Sequence, residues 1–442
     1  MDFKKLISAL TKTKETKEIF SKSFTSLWLR VLSYLLGFLF VFFIAKFYSV
    51  EAQGVFSITF TLLSLVALIS KLGLQTAMIK WLSDYFYNGK DAVAKALFWK
   101  IFKLVFILSS ILGIILFLLA DVLAIQVFKK EGLATPIKII SVSIPFFSSI
   151  EIIANYFRSK KNIEAYGFYI FVSKYLIPLV LLISFIFIFS NTNVFPIYAY
   201  SVGVIITFII CFIHLFLDLS KIKSTKIESK GISLKTILRT SIPLLFSSSL
   251  VMFMWWGDTF ILGVYKTESD VGVYSVAVKI ATIVSFIYNA VISILMPQIV
   301  EFFSNKKEEK LKEVINYSTK LIFITTIPIA LVLGLFSKFF LSLFGEVYTE
   351  GYIILLLLLL AQLTNSLTGP VGPFLSMCGE EKKQLLFIAI ALILNLVISF
   401  FLVSDYGGEG VALGSAIGMV TWNILGAVFI RIKYGYQTWV KF

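Results

Sequence analysis

Two stretches far apart in the chain, Phe47-Tyr-Ser-Val-Glu-Ala-Gln-Gly-Val-Phe-Ser-Ile58 and Val264-Tyr-Lys-Thr-Glu-Ser-Asp-Val-Gly-Val-Tyr-Ser-Val276, read alike. A Glu, a Gly and an aromatic-Ser pair recur, with one residue inserted in the second copy. Each stretch lies between two long apolar runs. A second pair of matching turns, Tyr156-Phe-Arg-Ser-Lys-Lys-Asn162 and Met377-Cys-Gly-Glu-Glu-Lys-Lys-Gln384, comes at a similar offset, each a short basic segment that opens another apolar run. Self-similarity at so long a period points to a duplicated unit.

Working outward from these turns, apolar runs of membrane-crossing length fall near 24–47, 54–74, 100–120, 137–157, 165–189, 194–217, 241–264, 271–297, 317–344, 352–377, 385–403 and 410–430. A helix needs about 20 apolar residues to cross the hydrocarbon core, so twelve crossings account for a chain of 442 residues that is 58% apolar, 16% aromatic and only 15% charged. Mean hydropathy is +0.93. Secreted, nucleic-acid-binding and disordered classes are excluded by that balance. The expected fold is an all-α integral membrane protein with twelve transmembrane helices in two six-helix lobes around a central cavity. Six spans per copy leave both copies in the same orientation, so a pseudo-twofold axis runs along the membrane normal and the site lies between the halves. The chain divides into an N-terminal segment 1–23, a first lobe 24–217, a basic linker 218–240, a second lobe 241–430 and a tail 431–442.

Net charge is +15, from 40 Lys and Arg against 25 Asp and Glu. Sorted by the expected loops, 32 basic residues fall on the face that carries both termini and 6 on the other, with Lys174 and Lys279 inside spans. Positive charge is retained on the cytoplasmic side, so both termini are expected to be cytoplasmic in a multi-pass protein of the cell (inner, cytoplasmic) membrane. The N-terminus, Met-Asp-Phe-Lys-Lys, is too polar for a cleaved signal peptide. Cys211, Cys378 and the single His214 provide neither a disulfide framework nor a zinc site. No expected outer loop exceeds about 20 residues, which leaves no room for an external catalytic domain. A membrane glycosyltransferase or polymerase would need paired carboxylates or a His-containing site on such a loop, and an inert scaffold would not carry isolated charges inside its spans.

Those charges are the candidate site. An ionisable group deep in a span costs at least about 2.5–3.5 kcal/mol, and few are found here. Lys174 lies mid-span with no acidic neighbour within one helical turn. Asp258 and Lys279 lie at a similar depth in successive spans, within reach of pairing, either as a salt bridge that holds the two spans together or with Asp258 as an ion-coupling carboxylate that alternates between H⁺ or Na⁺ and Lys279. Arg30 and Lys71 sit at inner span ends, where they either line the cavity or snorkel. These residues bias the cavity positive with a single deep acid, which suits an anionic substrate better than a cationic drug. Trp255, Trp256, Tyr166, Tyr169 and Tyr175 offer flat faces for sugar rings. Pro145 in span 4 and Gly369, Pro370 and Pro373 in span 10 interrupt corresponding helices and are candidate hinges on the substrate path.

The segments Gly54-Val-Phe-Ser, Gly272-Val-Tyr-Ser-Val-Ala-Val-Lys279, Asp258-Thr-Phe-Ile-Leu-Gly263, Gly379-Glu-Glu-Lys-Lys383, Ile393-Leu-Asn-Leu-Val-Ile-Ser399 and Gly407-Gly-Glu-Gly-Val-Ala-Leu-Gly-Ser415 resemble the polysaccharide/O-antigen flippase family of the multidrug/oligosaccharidyl-lipid/polysaccharide exporter superfamily. The resemblance covers nearly the whole chain. It implies a V-shaped cavity, alternating access and a polyprenyl-diphosphate-linked oligosaccharide flipped to the outer leaflet, driven by an ion gradient or membrane potential. It implies no cofactor, and as partners the lipid bilayer, the lipid-linked oligosaccharide, and the polysaccharide polymerase and chain-length machinery, but no nucleic acid. The alternative is a cation-coupled multidrug exporter of the same superfamily, expected to carry more acid in its cavity.

Overall fold

The computed structural model describes residues 14–188, 192–222 and 233–440. Parts of the expected N-terminal segment (1–13), linker (223–232) and tail (441–442) lie outside the described residues. The first lobe is built from α1 (Lys14–Phe47), α2 (Val50–Lys71), α3 (Leu74–Tyr87), α4 (Asp91–Leu118), α5 (Ala134–Val142), α6 (Ile144–Ser159), α7 (Ile163–Ile188) and α8 (Phe195–Ser220). The second comprises α9 (Leu234–Tyr265), α10 (Glu268–Ser304), α11 (Glu308–Leu335), α12 (Tyr352–Thr368), α13 (Val371–Met377) and α14 (Glu381–Tyr434). Among the described residues eleven helices are long and apolar enough to cross a membrane. The last of them folds back on itself at Gly407 (φ 53°, ψ −130°), so it supplies two arms and the twelfth crossing.

Small residues let those two arms close up. A Cβ at Gly410 would run into Leu402, one at Gly414 into Ser399 and Asn395, and one at Gly418 would lie 3.0 Å from the Ala391 carbonyl oxygen. Packing through small residues is how helices associate where no hydrophobic effect drives them together. α2 lies at the centre of the molecule, with every residue from Ala52 to Ser64 buried. Its hydroxyls turn back on its own helix, Thr59 to the Val55 carbonyl at 2.8 Å and Thr61 to that of Ser57 at 2.8 Å, so polar residues cross an apolar interior without orphaned donors.

The repeat read from the sequence is a pair of helix starts. Ser49 caps α2 by accepting from Ala52 N, and Thr267 caps α10 in a reciprocal capping box with Asp270. Counted from these caps Gly54 and Gly272 correspond with no insertion. The extra residue is Lys266, ahead of the cap, and the recurring Glu51 and Glu268 are not equivalent positions. The two glycines also meet: a Cβ on Gly54 would overlap the Glu268 carbonyl, and one on Gly272 would overlap that of Val50. At the face away from the termini the lobes are thus joined by the two copies of one motif, with Gln53 Nε2 donating to Ser275 Oγ at 3.1 Å beside them and Lys130 Nζ donating to the Gly263 carbonyl.

The expected connection between the second and third spans, 75–99, is mostly helix. α2 stops where Leu72 and Gly73 both take positive φ, and α3 then runs along the terminus-bearing face. Gly73 is required there because a side chain would overlap the Ser241 carbonyl of α9. The tail also differs from expectation. α14 continues to Tyr434, and the segment beyond it packs into the second lobe, Thr438 being fully buried with its carbonyl accepting from Thr319 Oγ1 at 2.6 Å.

Candidate functional site: a cationic chamber and a carboxylate chamber

A π-helical turn at Phe168–Val172 interrupts α7 just before Lys174, and Pro178 lies one turn further on. Proline has no N–H, so the carbonyl four residues earlier, that of Lys174 itself, has no partner on the helix. A π-turn adds a residue to the helix and re-aims the side chains beyond it. Here it directs the Lys174 ammonium into a nest of rings, 5.1 Å from the centre of Phe60, 5.3 Å from Phe147 and 5.7 Å from Tyr175. Ring faces are electron-rich and hold a cation without neutralising it.

Lys174 lines a cavity of about 490 Å³ between α1, α7 and α10, opening toward the terminus-bearing half of the bundle. Arg30, Lys279 and Tyr175 line it as well, and among the described residues no carboxylate does. The Arg30 guanidinium lies 5.1 Å from the Phe171 ring and the Lys279 ammonium 5.4 Å from that of Tyr175. Gly37 on α1 makes the approach possible, since a Cβ there would lie 2.9 Å from Lys279 Nζ.

Lys279, Tyr175 and Tyr34 form the shared wall with a second chamber of about 330 Å³, lined in part by Trp255, Trp256 and Asp258. Trp256 packs edge-on against Phe60 at 5.1 Å, while the Trp255 side chain is 53% exposed. Asp258 is buried, and its pairing with Lys279 is corrected by the structure. Its carboxylate accepts instead from Tyr274 OH at 2.9 Å, Asn395 Nδ2 at 3.1 Å and Ser415 Oγ. Three neutral donors hold it because α10 and both arms of α14 converge there. Ser399 Oγ extends the network, donating to Asn395 Oδ1 at 2.9 Å.

Lys71 stands apart from both chambers: it is buried and paired to Glu151 of α6. Pro145 lies in the first turn of α6, directly after the break at Ser143, where its missing N–H costs nothing. Gly369 (φ 71°, ψ −149°) and Pro370 separate α12 from α13, and Pro373 sits in the first turn of α13. Tyr288 OH donates to the Gly369 carbonyl at 3.3 Å and Val440 N to that of Leu367 at 3.1 Å, satisfying acceptors that the break releases. Sequence reasoning did not single out Tyr274, Asn395, Ser399 or Ser415 as partners of the buried acid. The available signal was polar residues four apart, Asn395 and Ser399, within an otherwise apolar run.

Residues 19–303 match the family described as polysaccharide biosynthesis protein, and residues 243–401 match the MatE family. A probable low-salt glycan biosynthesis flippase, Agl15, of Haloferax volcanii is 25% identical over 190 residues, 42% of this chain. That match spans 40% of the relative's length, well under half. Among solved structures, lipid II flippase MurJ in an inward closed conformation superposes with a TM-score of 0.72 at 16% identity, over 93% of this chain and 87% of that one. An inward-facing multidrug resistance transporter of the MATE family gives 0.70 at 17%, over 93% and 98%. At such low identity these two likenesses concern the fold alone. With nearly two thirds of its length matched, the chain belongs to the polysaccharide biosynthesis protein family, as a multi-pass membrane protein with a two-lobed helical fold like those of lipid II flippase MurJ and the MATE transporter.

Proposed function

We propose that this protein is a transporter, not an enzyme, and that it flips a lipid-linked oligosaccharide whose diphosphate is held in the cationic chamber by Arg30, Lys174 and Lys279. The observation that carries the reading is a cavity with three cations and no carboxylate among its described lining residues. Hydrogen bonds from charged donors to phosphate are strong where water is scarce. The partial match to a glycan flippase and the likeness to MurJ support the same substrate class. The terminus-bearing face is the cytoplasmic one, in keeping with its 32 basic residues against 6 opposite. Depletion in the native cell, with mass spectrometry of lipid-linked sugars, tests the reading. An accumulated inner-leaflet species is expected, and an unchanged lipid-linked pool would overturn it.

Coupling to H⁺ or Na⁺ is assigned to Asp258, a buried carboxylate at the edge of the second chamber. A cation arriving there replaces donated hydrogen bonds from Ser415 and Asn395, which ties its binding to the spacing of α9 and the two arms of α14. Asp258→Asn is expected to remove the response of transport to collapse of the ion gradient. Unchanged turnover and unchanged gradient dependence would make Asp258 structural. The MATE likeness keeps a drug exporter as the second reading, and export of cationic dyes by the reconstituted protein would favour it.

A further inference from the structure

The first lobe contains a third cavity, of about 280 Å³, lying between α3, α6, α7 and α8, open to the outside at Arg158 and sharing Ile170 and Lys174 with the cationic chamber. It is just below the range of about 300–1,000 Å³ found for drug-sized ligands, a volume suited to one sugar ring. Its chemistry is mixed. Gln75 is buried, and its Oε1 has no hydrogen-bond partner among the described residues. Tyr166 and Tyr169 supply ring faces. The carboxylate of Glu151 is already neutralised by Lys71. The Arg158 guanidinium lies over the Tyr166 ring at 5.1 Å and the Lys174 ammonium lies over rings, so neither cation is ion-paired among the described residues. The chamber thus combines an unpaired buried acceptor, aromatic faces and two uncompensated positive charges.

We propose that this chamber is a subsite for one acidic sugar of the transported glycan, of the hexuronic acid type. The sugar carboxylate is held by Arg158, whose planar fork donates two hydrogen bonds to it, and by Lys174. The Gln75 amide, whose Oε1 is unpartnered and turned away from the cavity surface, rotates to accept from a ring hydroxyl, and the ring lies against Tyr166. The subsite rests on the flippase reading and narrows it: Lys174 belongs to both cavities, so the diphosphate and the acidic sugar enter adjoining compartments. Neutral sugars would leave Arg158 unused, which makes the chamber a filter for charge.

The test uses the purified full chain in lipid nanodiscs. Methyl glucuronide and methyl glucoside are compared by saturation-transfer NMR, and inorganic pyrophosphate is titrated separately by calorimetry. The glucuronide is expected to bind at least tenfold more tightly than the glucoside. Gln75→Leu and Arg158→Gln should each weaken the glucuronide at least tenfold while leaving pyrophosphate affinity within threefold. Arg158 is exposed, so its variant decides the matter if Gln75→Leu does not fold. Absence of glucuronide binding, equal binding of the two sugars, or unchanged affinity in Arg158→Gln overturns the subsite. A parallel loss of pyrophosphate binding would place the diphosphate in this chamber and overturn it too. Failure of the wild type to bind pyrophosphate would instead sink the flippase reading, and the glucuronide result is read independently of it.

Discussion

Each lobe closes its terminus-bearing end with a staple in which a tyrosine and a lysine share one carboxylate oxygen. In the first lobe Tyr156 OH at 2.7 Å and Lys160 Nζ at 2.6 Å both donate to Asp218 Oδ2. In the second, Tyr434 OH at 2.8 Å and Lys433 Nζ both donate to Glu380 Oε1. The carriers have exchanged. The acid stands at the end of α8 in one lobe and in the turn after α13 in the other, while the Tyr-Lys pair stands at the end of α6 and at the end of α14. Duplication therefore preserves the contact between elements and not the residue that supplies it. The lobes match at the opposite face, where Gly54 and Gly272 meet, and differ at mid-depth, where α7 carries Lys174 and its counterpart arm of α14 carries Asn395 beside Asp258.

The matching part is the most sensitive. Gly54→Leu puts four carbon atoms where the Glu268 backbone lies, and Gly272→Leu does the same against Val50. Overpacking costs about 1–3 kcal/mol even where neighbours can move, and here the neighbour is backbone. Both variants are expected to lower transport at least tenfold and to reduce thermal stability similarly. A large effect at one glycine and none at the other would break the equivalence of the two copies.

Next in size is the mid-depth difference. Lys174→Gln removes one charge-assisted contact to an anionic group, worth about 1.5–3 kcal/mol, so flipping should fall about tenfold to a hundredfold with membrane insertion unchanged. Wild-type flipping rates in reconstituted vesicles would remove Lys174 from the site. The same substitution relieves a half-buried cation that has no ion-pair partner among the described residues, so the variant is expected to unfold no more easily than the wild type.

Much of this organisation was legible in the sequence, and for a physical reason. A bilayer demands about 20 apolar residues per crossing and rejects unsatisfied backbone, so spans, repeat and helix interruptions at Pro145 and Gly369-Pro370 are written as local patterns. Pairings between distant spans are not local. Lys71 meets Glu151 across 80 positions and Asp258 meets Asn395 across 137, and nothing in either segment names its partner. Asp258 and Lys279 do share a level, since both line the second chamber, but depth leaves rotation about each helix axis undetermined. α3 was missed because its Lys80, Asp84 and Tyr87 are exposed on one face, which removes the apolar run that marks a crossing.

The two staples are separated by a smaller pair of predictions. Asp218→Asn leaves Lys160 and Tyr156 facing a neutral amide within a half-buried setting, 29% and 20% exposed at Lys160 and Asp218. A loss of about 1–2 kcal/mol is expected, well below the 3–5 kcal/mol of a fully buried pair because water screens it. Thermal denaturation of the first-lobe variant measures it.

Glu380→Gln should cost less, about 0.5 kcal/mol or below, because Lys433 is half exposed and such pairs contribute little. Its signature is the pH dependence. The hydrogen bond from Lys433, and after it that from Tyr434, holds the Glu380 carboxyl below the usual glutamate range. A depressed acid stabilises the fold at pH above its unfolded value, and that contribution is lost as pH falls through the folded value. Wild type and Glu380→Gln are therefore expected to differ at neutral pH and to converge in acid. A difference that persists unchanged at low pH would show that the second staple acts through packing of Tyr434 and not through charge, and the likeness between the two lobes would then be one of shape alone.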